Sequence, residues 1–243
     1  MRVASLWRHP IKSHGREPLP AFEVEAGGTV PGDRRWAVAH EAAQAPDGAW
    51  SPCTNFHRCA KAPALMAIEA ESHEDGTVTL RHPNLADLRF DPDAEADRYL
   101  AWIAPTVEPG RAAPARIVRA GARGMTDSDF ASISLMNAAS HRAVEGCVGH
   151  ALSPHRWRGN VWFEGEGPWQ EWEWVGREVS IGTARFRVAE PITRCRATEA
   201  NPETGRRDAA TLDALAHWGH RDFGVYLECV APGRVAVGDR VAA

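Results

Sequence analysis

The segment "AEPITRCRATEANPETGRRD", Ala189 to Asp208, sets Cys195 between Arg194 and Arg196. A tight turn follows, in which Pro202 presets φ and Gly205 accepts a positive φ. A cysteine placed this way has two possible uses. It fills a core as a small apolar group, or, given thiolate character and access, it works as a nucleophile or metal ligand. If "ITRCRA" is extended, its side chains alternate, so Arg194 and Arg196 face away from Cys195. Any charge that activates the thiol must then come from elsewhere in the fold.

Groups able to meet an anion are scattered along the chain. Lys12 and Ser13 follow a strand in "HPIKSHG", and Arg34 and Arg35 begin another in "GDRRWAV". Arg156 and Arg158 stand two apart in "HRWRGNVWFEG", followed by Asn160. Ser132 and Ser134 open a predicted helix whose free N–H groups favour a phosphate. Each alone reads as a solvated surface group, because charged side chains are mostly exposed. They become a site only if the fold gathers them.

Other constellations are poorer. Cys53, His57 and Cys59 lack a fourth ligand at a zinc spacing, and His217 and His220 have no further ligand beside them. Trp172 and Trp174 alternate with Glu171 and Glu173, as in a half-buried strand. There is no dinucleotide fingerprint, P-loop, iron–sulfur spacing or nucleophile elbow, so no flavin or nicotinamide site is expected.

The elements that must position these groups read as short strands. "RVASLWRHPI", "RRWAVAH", "APALMAIEA", "TVTLRH" and "LADLRF" form a first part, with Asp75-Gly76 as a hairpin turn. "APTVEPGRAAPAR", Ala104 to Arg116, has three prolines and a glycine and reads as an exposed connection. The second part holds a helix in "SISLMNAASHRAVEG", capped by Ser132 and stopped at Gly146, and another in "DAATLDALAHWG", capped by Asp208 and closed by Gly219. "GNVWFEG", "EWEWVG", "REVSIG", "ARFRVAEPI" and "RVAVGDRV" read as further strands. This pattern predicts a β-rich α+β protein, a small barrel or sandwich with helices outside.

The 243 residues, 44% hydrophobic and 25% charged, fit a soluble globular chain. A net charge of −4 argues against general nucleic-acid binding. No apolar run reaches membrane-span or signal-peptide length, so no membrane partner is expected. Five cysteines at scattered spacings do not form a disulfide framework and point to a reducing cytoplasm.

Taken in order, these pieces resemble the MOSC family, proteins related to the C-terminal domain of molybdenum cofactor sulfurase. "HPIKSHG" and "GDRRWAV" are similar to its N-terminal associated domain. "FASISLMN", "HRWRGNVWFEG", "ITRCRATEANPETG" and "FGVYLECVAPGRVAVGD" are similar to the MOSC domain proper. The resemblance implies a MOSC β-barrel with peripheral helices over residues 115–243 and a smaller β-rich N-terminal domain over residues 1–104. In the two-domain branch, which includes the mitochondrial amidoxime-reducing component, it also implies a molybdenum–pterin cofactor (molybdopterin) in a basic cleft. The metal-binding cysteine falls on Cys195. The cofactor's anionic tail falls to Lys12, Ser13, Arg34, Ser132, Arg158 and Asn160. The expected activity is two-electron reduction of N-hydroxylated or other N-oxygenated small molecules, with oxygen passing from substrate to metal. Electrons would come from a separate reductase. The alternative is a non-enzymatic carrier of the cofactor or of sulfur. A link to pyridoxal phosphate has no lysine in a Schiff-base context to support it. The chain departs from the family where Gly159 replaces the usual proline before Asn160, and where Ala131 precedes Ser132.

Overall fold

A computed structural model describes residues 1–243. Its strands are β1 (Arg2–Arg8), β2 (Glu17–Leu19), β3 (Ala21–Val24), β4 (Trp36–His40), β5 (Glu69–Ser72), β6 (Val78–His82), β7 (Leu85–Phe90), β8 (Pro114–Arg119), β9 (Ile133–Asn137), β10 (Val161–Glu164), β11 (Glu178–Ile181), β12 (Ala184–Thr193), β13 (Asp222–Ala231), β14 (Gly233–Ala236) and β15 (Val241–Ala242). Helices α1 (Ala96–Ile103), α2 (Ala138–Val148) and α3 (Thr211–Ala216) complete the β-rich α+β fold.

The main sheet has the order β15-β11-β12-β13-β9-β10-β1-β2. It curls until β1 meets the end of the chain, through the bridge between Arg2 and Arg240 and the bonds Val3 N to Asp239 O (2.9 Å) and Val241 N to Met1 O (3.0 Å). This contact covers part of the edges that would otherwise invite pairing. The alternation of β12 shows why the barrel forms here. Ala184, Phe186 and Val188 point inward to a core that also holds Leu6, Phe163 and Leu227, while Arg185 and Arg187 face water. The only parallel pair, β9 with β10, is joined through α2.

The sheets do not follow a single cut of the chain. β1 joins the barrel by pairing with β10, and β3 pairs with β14. In return β8 pairs with β4, and Ala200 lies in the N-terminal core with Leu65, Leu80 and Tyr99. The β5–β6 hairpin turns at Asp75-Gly76 as expected, with Gly76 at φ 85°.

Several local expectations give way, among them "APALMAIEA", where Pro63–Ala67 is a 3-10 segment before β5. "SISLM" is strand β9, not the first turns of a helix: Ile133 and Leu135 enter the barrel core while Ser134 and Met136 point outward. Both faces are covered, and the outward face carries apolar Met136 beside Ser134, which blurs the period of two. The helix starts at Ala138, capped by Asn137, whose side chain accepts from Ala139 N at 2.8 Å, and it runs through Gly146 to end at Gly149. "EWEWVG" is a 3-10 segment, Gln170–Trp174, because Glu171 is buried under Asn137 and Ser140 and accepts from both. Asp208 does not cap α3, which begins after Ala210; it pairs with Arg156 at 2.5 Å.

Candidate functional site

A cleft of about 240 Å³ lies on the outer face of β9, β13 and β12, where Ser134, Tyr226, Ile192 and Thr193 form its barrel wall. The opposite wall comes from the N-terminal part: Lys12, Ser13, Arg34, Cys53, Arg58 and Cys59. Arg156, Arg158, Arg194 and Cys195 close it from the loops at the barrel's end. The lining holds six guanidinium or ammonium groups and one carboxylate, Asp127.

Backbone geometry at these corners is unusual. Only four non-glycine residues have positive φ, and three of them line the cleft: Ser13 (64°), Arg34 (50°) and Arg158 (51°). A side chain in that region costs about 1–2 kcal/mol, and such residues persist where surrounding bonds over-determine them. At Arg34, its own N–H donates to His9 O (2.7 Å), and Met125 N donates to its carbonyl (2.8 Å). Buried Asp33 accepts from His9 N at 2.8 Å and pairs with the Arg34 guanidinium. At Ser13, a turn is closed by His14 N to Ile11 O (3.0 Å), and the carbonyl accepts the Cys59 thiol at 3.0 Å. At Arg158, which ends the 3-10 turn Pro154–Trp157, the carbonyl accepts from Arg34 Nη2 at 3.3 Å.

The cations differ in what satisfies them. Lys12 is buried and donates to Met125 O (2.7 Å) and Asp127 (2.6 Å). Burial lowers its pKa, and Asp127 opposes that. Loss of water opposes ionisation of Asp127, yet Lys12 and Arg34 hold its carboxyl down at about 2. Arg156 is committed to structure: it donates to Glu199 O (3.1 Å) and pairs with Asp208, stapling the turn that follows Cys195. Arg194 lies over Trp157 and Phe223 and donates to the carbonyls of both, with no carboxylate partner. Arg158 is barer still, because its Nη2 is buried without any partner. Burial, followed by the charge of Arg34 among its neighbours, lowers the pKa of Arg158 to about 10, so it stays charged at neutral pH.

Three thiols face this cleft and are not equivalent. Burial pushes Cys59 up to about 11, a neutral thiol bonded to Ser13. Cys53 accepts from Arg58 Nη1 at 2.9 Å. Cys195 is the exposed one, in extended backbone just before the turn Arg196–Glu199, whose Thr198 N–H and hydroxyl both donate to its carbonyl.

The structure thus brings Cys195, Lys12, Ser13, Arg34 and Arg158 to one cleft. It does not bring Ser132 or Asn160 there. Ser132 is not at a helix start; its hydroxyl is buried and accepts from Ser128 Oγ at 2.7 Å. Asn160 accepts from Ser134 N and Oγ (3.2 and 2.9 Å) and donates to Trp7 O (3.1 Å), fastening β1 to β9. Gly159 beside it is required by packing, since a Cβ there would run into Met136. Arg194, Asp127 and Tyr226 were not signalled by the sequence. The alternation argument turned Arg194 away, but β12 ends at Thr193 and the strand geometry ends with it. Among the His, Cys, Asp and Glu side chains no group of three is gathered to hold a metal, the Cys53–His57–Cys59 set included.

Burial of neutral histidines behind the cleft has a measurable consequence. Burial, reinforced by Arg158, lowers His9 to about 3, whereas an unfolded histidine protonates near 6.5. The unfolded chain therefore binds more protons below that pH, and stability falls as pH falls through the interval. His9 alone should remove about 2 kcal/mol between roughly pH 6.5 and 5, at about 1.4 kcal/mol per pH unit. Urea midpoints at the two pH values should drop less for His9→Asn than for wild type. Equal drops would show that His9 is not held neutral.

Residues 122–242 match the profile of the MOSC domain, and residues 1–107 match that of the MOSC N-terminal beta barrel domain. The chain belongs to the MOSC family. No curated protein matches the sequence. Among solved structures, the YuaD protein of Bacillus subtilis is similar at 13% identity over 99% of this chain and 93% of that one, with a TM-score of 0.48. YiiM of Geobacillus stearothermophilus is similar at 18% identity over 45% of this chain and 52% of that one, with a TM-score of 0.35. MOSC domains are associated with binding of the molybdenum cofactor. No helix is long and apolar enough to cross a membrane.

Proposed function

We propose that the cleft holds a molybdenum–pterin cofactor and that the protein reduces N-hydroxylated small molecules with electrons from a separate reductase. The observation that carries this reading is the partnerless Nη2 of Arg158 in a cleft whose cations outnumber its carboxylates six to one, beside an exposed thiol. A buried guanidinium without an anion is costly, and a forked donor of this kind is matched by phosphate or carboxylate oxygens.

The donor set fits the group. Arg158 offers an open planar fork to an anionic tail, the already bonded Arg194 and Arg34 add positive charge beside it, and Lys12, tied to Asp127, offers a fixed point charge. Cys195, the exposed one of the three thiols, would hold the metal, and a metal with a single protein ligand must bring its others with it, as a metal–pterin does. Thiolate is a suitable soft donor for such a centre. When bound, the group supplies two-electron cleavage of an N–O bond: R–NH–OH, two electrons and two protons give R–NH2 and water. The polypeptide's part is to bind the tail, fix the centre over Cys195 and leave the exposed mouth for substrate.

The test is elemental analysis of protein from hosts able and unable to make the cofactor, followed by turnover of a model hydroxylamine with an artificial donor. Molybdenum near one per chain with turnover is the expected outcome. Molybdenum without turnover would favour the carrier reading, which the exposure of Cys195 also suits. Absence of molybdenum from protein of a competent host would overturn both.

A further inference from the structure

Beside the cleft lies a second cavity of about 250 Å³, between the turn at residues 56–62 and the loop at residues 108–112. Its charged lining is Arg58, Lys61 and Arg111 against one carboxylate, Glu108. The single ion pair is a loose one, Arg111 Nε to Glu108 at 3.8 Å, and neither Arg58 nor Lys61 pairs with an acid. This surplus is local, because the chain as a whole carries a net charge of −4. A comparable surface cavity at Arg16 and Arg81 shows the contrast, since Glu17, Glu69 and Glu71 line it too and both arginines are paired.

Two further facts mark the second cavity as a built site. His57, 6% exposed, lines it with its Nδ1 buried and unpartnered. Arg58 lines both this cavity and the cleft, and its Nη1 reaches Cys53 on the cleft side. The proline- and glycine-rich connection after α1 is thus more than a spacer. Its middle, Glu108 to Ala112, forms the cavity's outer wall.

We infer that this second cavity is a phosphate-ester subsite, recognising a phosphate group on a molecule that extends through Arg58 into the cleft. Three cations exceed what a single carboxylate would need and suit a dianion. The extension into the cleft rests on the function proposed above; the anion site itself does not. Such a phosphate has two possible sources, the substrate or an appended portion of the cofactor.

Titration calorimetry with inorganic phosphate at low ionic strength tests the site. Arg158→Ala protein, whose cleft has lost its one unpartnered guanidinium, should still bind phosphate. Adding Lys61→Glu and Arg111→Glu should weaken that binding at least about tenfold. Both side chains are exposed, so the fold should survive, and circular dichroism checks this. No phosphate heat in Arg158→Ala, or equal affinity after the two further changes, would overturn the subsite. The same two substitutions in the wild-type background then separate the sources. A raised KM for a phosphorylated N-hydroxylated compound, but not for its dephosphorylated counterpart, assigns the phosphate to substrate. Lost molybdenum assigns it to the cofactor. If neither changes, the cavity does not serve the cleft, and the molybdenum reading stands or falls separately on the elemental analysis.

Discussion

Cys195→Ser is expected to give a folded protein whose reductase turnover has fallen at least a hundredfold. Replacing groups that merely orient a metal ligand already costs about 10–100-fold, so loss of the ligand should cost no less. The structural side of the substitution is mild: Cys195 is exposed, and the turn after it is held by its carbonyl and by Arg156, not by its sulfur. Serine is nearly isosteric, but its hydroxyl is far less acidic and a harder donor to the metal. The cations remain, so the variant should retain part of the pterin. Cys147→Ser, exposed on α2, serves as the control and should turn over normally. Near wild-type turnover of Cys195→Ser with molybdenum bound would make Cys195 a bystander.

Arg158 should respond with two opposite signs. Arg158→Met is expected to lose cofactor by at least tenfold, while Arg158→Lys retains an intermediate amount, since lysine keeps the charge without the fork. The cofactor-free Met variant should melt higher than cofactor-free wild type. Removing an unmatched cation relieves desolvation and the repulsion of Arg34, an effect of about 1–2 kcal/mol. That corresponds to a rise of about 2–8 °C for a chain of this size. An arginine serving only the fold would behave oppositely. A lowered melting point with unchanged molybdenum content would remove Arg158 from the site.

The strands were legible wherever one face is wet. β12 alternates cleanly between core and solvent, and the Asp75-Gly76 turn announced its hairpin. β9 was not, because Ile133 to Met136 are apolar enough on both faces to pass for a helix face. That one error displaced Ser132 from a strand start to a helix cap and lent it donors it lacks. Lys12, Arg34 and Arg158 stood out as residue types at loop positions, and their meeting depends on three left-handed corners that no periodicity encodes. Arg194 was masked by its own neighbour, Cys195, since alternation assigns adjacent residues to opposite faces only while a strand lasts. Asp127 and Tyr226 have ordinary local sequence, and their place at the cleft comes from tertiary pairing alone.

The pairing of β1 with β10 also sets a timetable for synthesis. Arg2 pairs with Glu164, and Lys12 and Ser13 follow directly on β1. At roughly 5–20 residues per second, the first strand leaves the ribosome on the order of ten to thirty seconds before its partner exists. Until then only Leu6 to Arg8 of β1 have a strand partner, in β2, and the loop that carries Lys12 has no opposite wall. The residues from the N-terminal part must wait for translation to run through β13 before Tyr226 and Cys195 can face them. The cleft therefore cannot be assembled before β13 has been made; its ligand first meets a chain translated at least that far.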